Sequence, residues 1–262
     1  MVVQAKFSAK IHAGEEDYMN TILLGSLATS ICTALGALPA LLFNNVTHRG
    51  RDILLAFTAG IMVAASTYGL IPSALKLSNL WILTIGTLLG TAVLTILELL
   101  IPHQDPGHNL RAEKNGRTSS LMFLSAMALH NLPEGLSVGV SYGSSSQDLG
   151  TIVALSIGLQ NIPEGFLTAL FLITHGMRRR WALMLAAFTG VLELAACWAG
   201  LRFAASFQAV VPYGLAFAAG AMLFVVYKEL IPESHGDGNE RAATFSFIFG
   251  LLTMIALTHL LR

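Results

Sequence analysis

His130-Asn131-Leu132-Pro133-Glu134-Gly135 and Gln160-Asn161-Ile162-Pro163-Glu164-Gly165 are two versions of one pattern, polar-Asn-apolar-Pro-Glu-Gly, set 30 residues apart. Both lie inside long apolar runs, where a carboxylate is expensive. In a helix, residues four apart share a face about 6 Å along the axis, so His130 lies over Glu134 and Gln160 over Glu164. Asn131 and Asn161, three residues before each Glu, flank the same faces. Pro133 and Pro163 remove a backbone donor and leave the carbonyls of Leu129 and Leu159 without their usual partner, which predicts bent or broken helices lining a protein-enclosed cavity. Gly135 and Gly165 permit close helix approach.

The surrounding composition is that of a membrane protein. Of 262 residues 54% are hydrophobic and 11% charged, against about 25% charged in soluble domains, and mean hydropathy is +0.67. Net charge is +0, so no basic footprint for nucleic acid exists. Cys32 and Cys197 sit in apolar runs as buried thiols, with no CxxC pair. Residues 1–18 lack the order of a cleaved signal, so the first apolar run reads as a retained span.

Windows of about 20 apolar residues predict an all-α integral membrane bundle of eight spans at 20–43, 52–71, 79–101, 118–141, 148–173, 181–201, 208–231 and 243–261, forming a single domain over 1–262 with a polar loop at 102–117. Ten basic residues, among them Arg178-Arg179-Arg180, fall on the side of the loops after odd-numbered spans, and five on the other. The positive-inside rule then places both termini outside the cytosol. Ala56-Phe57-Thr58-Ala59-Gly60-Ile61-Met62 with Leu70-Ile71-Pro72 in span two is echoed by Ala216-Phe217-Ala218-Ala219-Gly220-Ala221-Met222 with Leu230-Ile231-Pro232 in span seven. An even and an odd span run in opposite directions, so the echo predicts a 3+2+3 inverted repeat, the usual plan of secondary transporters.

A carboxylate at mid-bilayer costs about 2.5–3.5 kcal/mol on insertion scales. Two facing carboxylates also repel, and a divalent cation relieves both problems. One imidazole, two carboxylates and amide oxygens suit Zn²⁺ or another first-row divalent ion, without the thiolates of a Cu(I) site. Glu193, in the middle of span six, is a third intramembrane acid and a ligand or near-ligand by the same logic.

These motifs resemble those of the fourth and fifth spans of the ZIP (Zrt-, Irt-like protein) family of divalent-metal transporters, and the resemblance covers the whole chain. It implies a metal site with two neighbouring positions. His130, Glu134, Gln160 and Glu164 match the principal one. Asn131, Asn161 and Glu193 match the adjoining one, and Met62 the place of a metal-contacting Met in span two. It further implies uptake of zinc, or of iron, manganese or cadmium, into the cytosol by alternating access. Spans 1, 4, 5 and 6 would move against 2, 3, 7 and 8, in the plasma membrane (the bacterial inner membrane). No prosthetic group is expected; the partners are the metal ion and the bilayer, with a homodimer as one open assembly.

The chain departs from that pattern in places. Asn161 stands where many relatives have Asp, and Leu194 where a Pro often follows the acid, so the adjoining position has less charge. Glu98 and His103 match exit ligands at the end of span three, with Asp105 in place of a second His and His108 nearby. At the end of span seven Lys228-Glu229 replaces a His or acid followed by an acid; Glu229 is an exit-ligand candidate, and Lys228 either acts as a tethered positive charge or snorkels to the interface. Two other classes compete. An intramembrane metallohydrolase would use His130, Glu134 and Glu164 around zinc, but HExxH is missing. A channel-like pore would show steady, voltage-set currents. No P-loop for a primary pump is present.

Overall fold

The structure is a computed structural model that describes residues 2–43, 46–100, 116–144, 147–235 and 238–260; side chains are described from Tyr18 onward and, after the gap at 101–115, from Phe123. Eight helical rods make up the described chain: α1 (Val2–Ala37), α2 (His48–Leu77), α3 (Leu80–Leu100), α4 (Gly116–Tyr142), α5 (Gln147–Thr174), α6 (Arg179–Ser206), α7 (Gln208–Ser234) and α8 (Glu240–Leu260). No strand occurs among the described residues. Seven of the rods, all but α4, are long and apolar enough to cross a membrane. With 27 residues α4 matches them in length, but His130, Asn131, Glu134, Ser137 and Ser141 dilute its apolar stretch.

Local chemistry sets several rod ends. The Thr47 side chain accepts from Gly50 N–H at 3.1 Å and starts α2, and Asn79 Oδ1 accepts from Ile82 N–H at 3.1 Å at the head of α3. After α5, Met177 N–H donates to Leu172 O and Gly176 N–H to Ile173 O, both at 3.0 Å. This is a Schellman ending, and Gly176 supplies its left-handed residue at φ 87°.

The expectation of broken motif helices is corrected. Both α4 and α5 run uninterrupted through Pro133 and Pro163. The helical ladder changes register in α2 and α7 instead, where Ala65–Leu70 and Val226–Leu230 are π-helical. Ile71 N–H reaches back to Ser66 O and Ile231 N–H to Val226 O, a five-residue step. Pro72 and Pro232 follow each step; a widened turn accommodates the missing donor that a tight ladder would have to leave open. Both rods therefore continue past their apolar stretches, to Leu77 and Ser234, rather than ending near 71 and 231.

Apolar burial gives little drive inside a bilayer, so packing relies on small residues that let backbones meet. A Cβ on Gly135 or Gly139 of α4 would strike the carbonyls of Glu193 or Cys197 on α6. Gly165 of α5 lies likewise on the Thr33 carbonyl of α1, Gly60 of α2 on the Phe247 carbonyl of α8, and Gly220 of α7 on the Thr87 carbonyl of α3. Four close pairs result, α4 with α6, α1 with α5, α2 with α8 and α3 with α7. Between them lies an apolar core centred on the small residues of α2 and α7, including Ala59, Ala216, Ala218 and Ala219. Cys32 and Cys197 are both free thiols. Near the end of α7, Arg51 of α2 pairs with Glu233, and the fully buried Asp52 accepts from Asn239 at 2.9 Å.

Candidate metal site

The close pairs carry the polar residues of the motifs to one place. Glu134, Gln160 and Glu193 are fully buried, Asn131 and Asn161 are 1% exposed, and His130 is 7% exposed. Because Gly135 lets α6 approach, Glu193 comes within electrostatic reach of Glu134, and Glu164 from α5 joins them. Gln160 Nε2 donates to Glu134 Oε1 across the α4–α5 contact. Asn161 Nδ2 donates to Glu193 Oε2 at 2.7 Å and to the Thr29 carbonyl at 3.1 Å, joining α5, α6 and α1. The His130 ring is oriented through Nδ1, 2.9 Å from the Ala126 carbonyl. Its Nε2 faces Glu229 Oε2 of α7, 3.1 Å away.

What remains is a set of acceptors. Asn131 Oδ1, Glu134 Oε2, Gln160 Oε1, Asn161 Oδ1, Glu164 Oε1 and Glu193 Oε1 are buried with no hydrogen-bond partner among the described residues. An unsatisfied buried polar atom costs about 1–3 kcal/mol, so six in one region form a large collective demand. Every one of them is an oxygen with a lone pair to give. A cation drawn in among them would meet that demand. Among the described residues no group of three His, Cys, Asp or Glu side chains already stands in metal-binding geometry. Gln160 and Asn161 hold two of the carboxylates by hydrogen bonds, and their amides would have to turn for the carboxylates to close on an ion.

Of the other predicted ligands, Glu229 is brought onto the site through His130. Met62 lies in the apolar core with Met222, its counterpart in α7. Glu98, at the end of α3, faces Lys228 at 3.4 Å. His103 and Asp105 lie outside the described residues. The sequence reading missed α1. Ser26, Thr29 and Thr33 are buried, Thr29 and Thr33 stand beside Glu193, and their hydroxyls donate to the carbonyls of Ser26 and Thr29 at 3.0 and 3.4 Å. The signal was present as Ser26, Thr29, Ser30 and Thr33, a polar stripe at helical spacing.

Apolar rods enclosing a buried cluster of acids and amides define a membrane protein with a polar centre. The comparisons narrow the class. The family model described as ZIP zinc transporter matches residues 98–258. The chain is 37% identical to the zinc transporter GufA of Myxococcus xanthus over 252 residues, 91% of this chain and 98% of that protein. It is 32% identical to the zinc transporter ZIPB of Bordetella bronchiseptica, over 90% of this chain and 79% of that one. To the zinc transporter ZupT of Corynebacterium aurimucosum it is 30% identical, over 89% and 92%. The chain belongs to the ZIP family, a family of transporters and not of enzymes. It is a multi-pass membrane protein.

Proposed function

We propose that this chain carries divalent transition-metal ions, zinc foremost, across the membrane into the cytosol, with iron, manganese or cadmium as further cargo. The observation that carries the reading is the set of six partnerless oxygens around Glu134, Glu164 and Glu193. The names of the bacterial relatives agree with zinc, and the place assigned to the chain is the bacterial inner membrane. His130, Glu134, Gln160 and Glu164 form the principal metal position; Asn131, Asn161 and Glu193 form the adjoining one. Met62 of α2 is a further metal contact, and Glu229, Glu98, His103 and Asp105 lie on the way out.

The architecture proposed is eight spans in a 3+2+3 inverted repeat with both termini outside. A shift of 160 residues superposes Gly60 on Gly220, Gly90 on Gly250 and Thr33 on Glu193, while 30 residues relate Gly135 to Gly165. These shifts turn the contact of Gly60 with the Phe247 carbonyl into that of Gly220 with the Thr87 carbonyl. They likewise turn the contact of Gly135 with Glu193 into that of Gly165 with Thr33. Ser30 and Gly190, which correspond under the same shift, touch each other, as residues at a two-fold axis do. Alternating access then slides the α1, α4, α5 and α6 group against α2, α3, α7 and α8, along the small-residue surfaces of α2 and α7.

Zinc uptake by the purified full-length chain in proteoliposomes, compared across divalent ions, tests the reading; uptake that persists with both Glu134 and Glu164 removed sinks it. In the same assay Asn161→Asp is expected to tighten apparent zinc affinity by about tenfold, equivalent to roughly 1.4 kcal/mol, while slowing turnover rather than abolishing it. A fourth carboxylate beside Glu193 raises attraction for the ion and also hinders its release. An unchanged ion preference and KM would remove Asn161 from the site.

A further inference from the structure

The two ends of the proposed path are not built alike. At the α7 end, Lys228 and Glu229 occupy the π-helical stretch. Glu229 Oε2 lies 3.1 Å from the site residue His130, and Lys228 Nζ lies 3.4 Å from Glu98 Oε1 on α3. One widened turn thus sends neighbouring residues to two different rods, one inside the site and one beyond it. The 160-residue shift places Tyr68, Gly69 and Thr258 where Lys228, Glu229 and Glu98 stand. None of these three counterparts is charged, and a Cβ on Gly69 would meet nothing within 4 Å. Under the proposed repeat, these three positions are charged in one copy and uncharged in the other.

We propose that Lys228 is a tethered cation that occupies the exit carboxylate Glu98 in place of the departing divalent ion, so that cargo passing Glu229 is not trapped by a second acid and is released. This deepens the metal-carrier reading and rests on it. A divalent ion leaving the His130 and Glu229 neighbourhood next meets Glu98. With the ammonium in place, that carboxylate is already neutralised and the ion has one weak step to leave. Without it, Glu229 and Glu98 become two successive acids on the same route, a place for metal to dwell. Lys228 is half exposed, with 53% of its side chain accessible, so the protein leaves it room to swing aside.

The test uses the full chain with zinc alone as probe, in two assays, proteoliposome uptake and equilibrium zinc binding to the purified protein. Lys228→Gln is expected to slow maximal uptake by about fivefold or more, to lower the apparent KM, and to add one zinc equivalent at equilibrium, as expected when an acid loses its positive neighbour. Glu98→Gln alone is expected to slow uptake, because an unpaired ammonium then repels the cargo, and to add no equivalent. The double variant loses the added equivalent and transports faster than Lys228→Gln. Unaltered zinc stoichiometry in Lys228→Gln overturns the proposal and leaves Lys228 as a snorkelling residue, and so does a double variant no faster than the single one. Were Lys228→Gln to reconstitute poorly, uptake by Glu98→Gln at the parent rate would overturn it as well. Absence of zinc flux in the parent protein would instead count against the carrier reading, while the binding assay still decides the role of Lys228.

Discussion

Glu134→Gln is expected to lower zinc uptake by about a hundredfold or more, the effect of losing roughly 2.8 kcal/mol of ion binding, while the protein inserts and folds at least as well as the parent. The substitution nearly preserves volume. It keeps the oxygen that accepts from Gln160 and puts a neutral amide at a fully buried position within reach of two other acids. A neutral amide adds no charge that the apolar surroundings would have to accommodate. The zinc-free melting temperature in detergent should therefore hold or rise. The parent should gain about 2.7 kcal/mol of stability at a hundredfold excess of zinc over Kd, and the variant should lose that gain. Glu164→Gln should behave alike. A variant that melts far below the parent without zinc would show that Glu134 serves packing and not cargo.

Gly135→Ala tests the geometry instead of the charge. The added Cβ would collide with the backbone carbonyl of Glu193 and press on Ala196. A carbonyl in the middle of a helix cannot step aside as a flexible side chain does, so α4 and α6 must move apart. Overpacking of this kind costs about 1–3 kcal/mol. It also carries Glu193 away from Glu134, so zinc affinity should fall by about tenfold or more, roughly 1.4 kcal/mol, though no ligand has been altered. Gly69→Ala is the control. Its Cβ meets nothing within 4 Å, and alanine's better helix propensity offsets any loss, so the melting temperature should change by no more than a few degrees. Equal melting shifts for Gly135→Ala and Gly69→Ala would contradict the close α4–α6 contact.

Much of the site could be read in the sequence because the bilayer makes polar residues conspicuous. Glu134, Glu164 and Glu193 stand out against apolar runs, and the repeated Asn-x-Pro-Glu-Gly pattern ties two of them together before any coordinates exist. Periodicity places His130 over Glu134 without tertiary information. The polar stripe of α1 was less visible. Serine and threonine hydroxyls bond back to their own helix, as Thr29 does to Ser26, so they cost little in an apolar helix and attract no notice. The expected break at the motif prolines did not occur for a related reason. Proline removes one donor wherever it sits, but whether the rod breaks depends on the neighbouring packing. At Pro133 and Pro163 the helix continues without interruption, whereas before Pro72 and Pro232 it widens into a π turn.

By itself, the sequence determined that this is a membrane-integral helical chain with intramembrane acids on shared helix faces, since hydropathy, composition and 3.6-residue spacing are local properties. Only the tertiary structure decided which acid meets which donor. Contacts such as Asn161 with Glu193, Glu229 with His130 and Lys228 with Glu98 join residues from separate helices, and their distances depend on how closely the rods can approach. Glycine against a carbonyl sets that approach. The two hexapeptides thus supply buried acids and amides, while Gly135, Gly165 and their partners on α6 and α1 bring those side chains together.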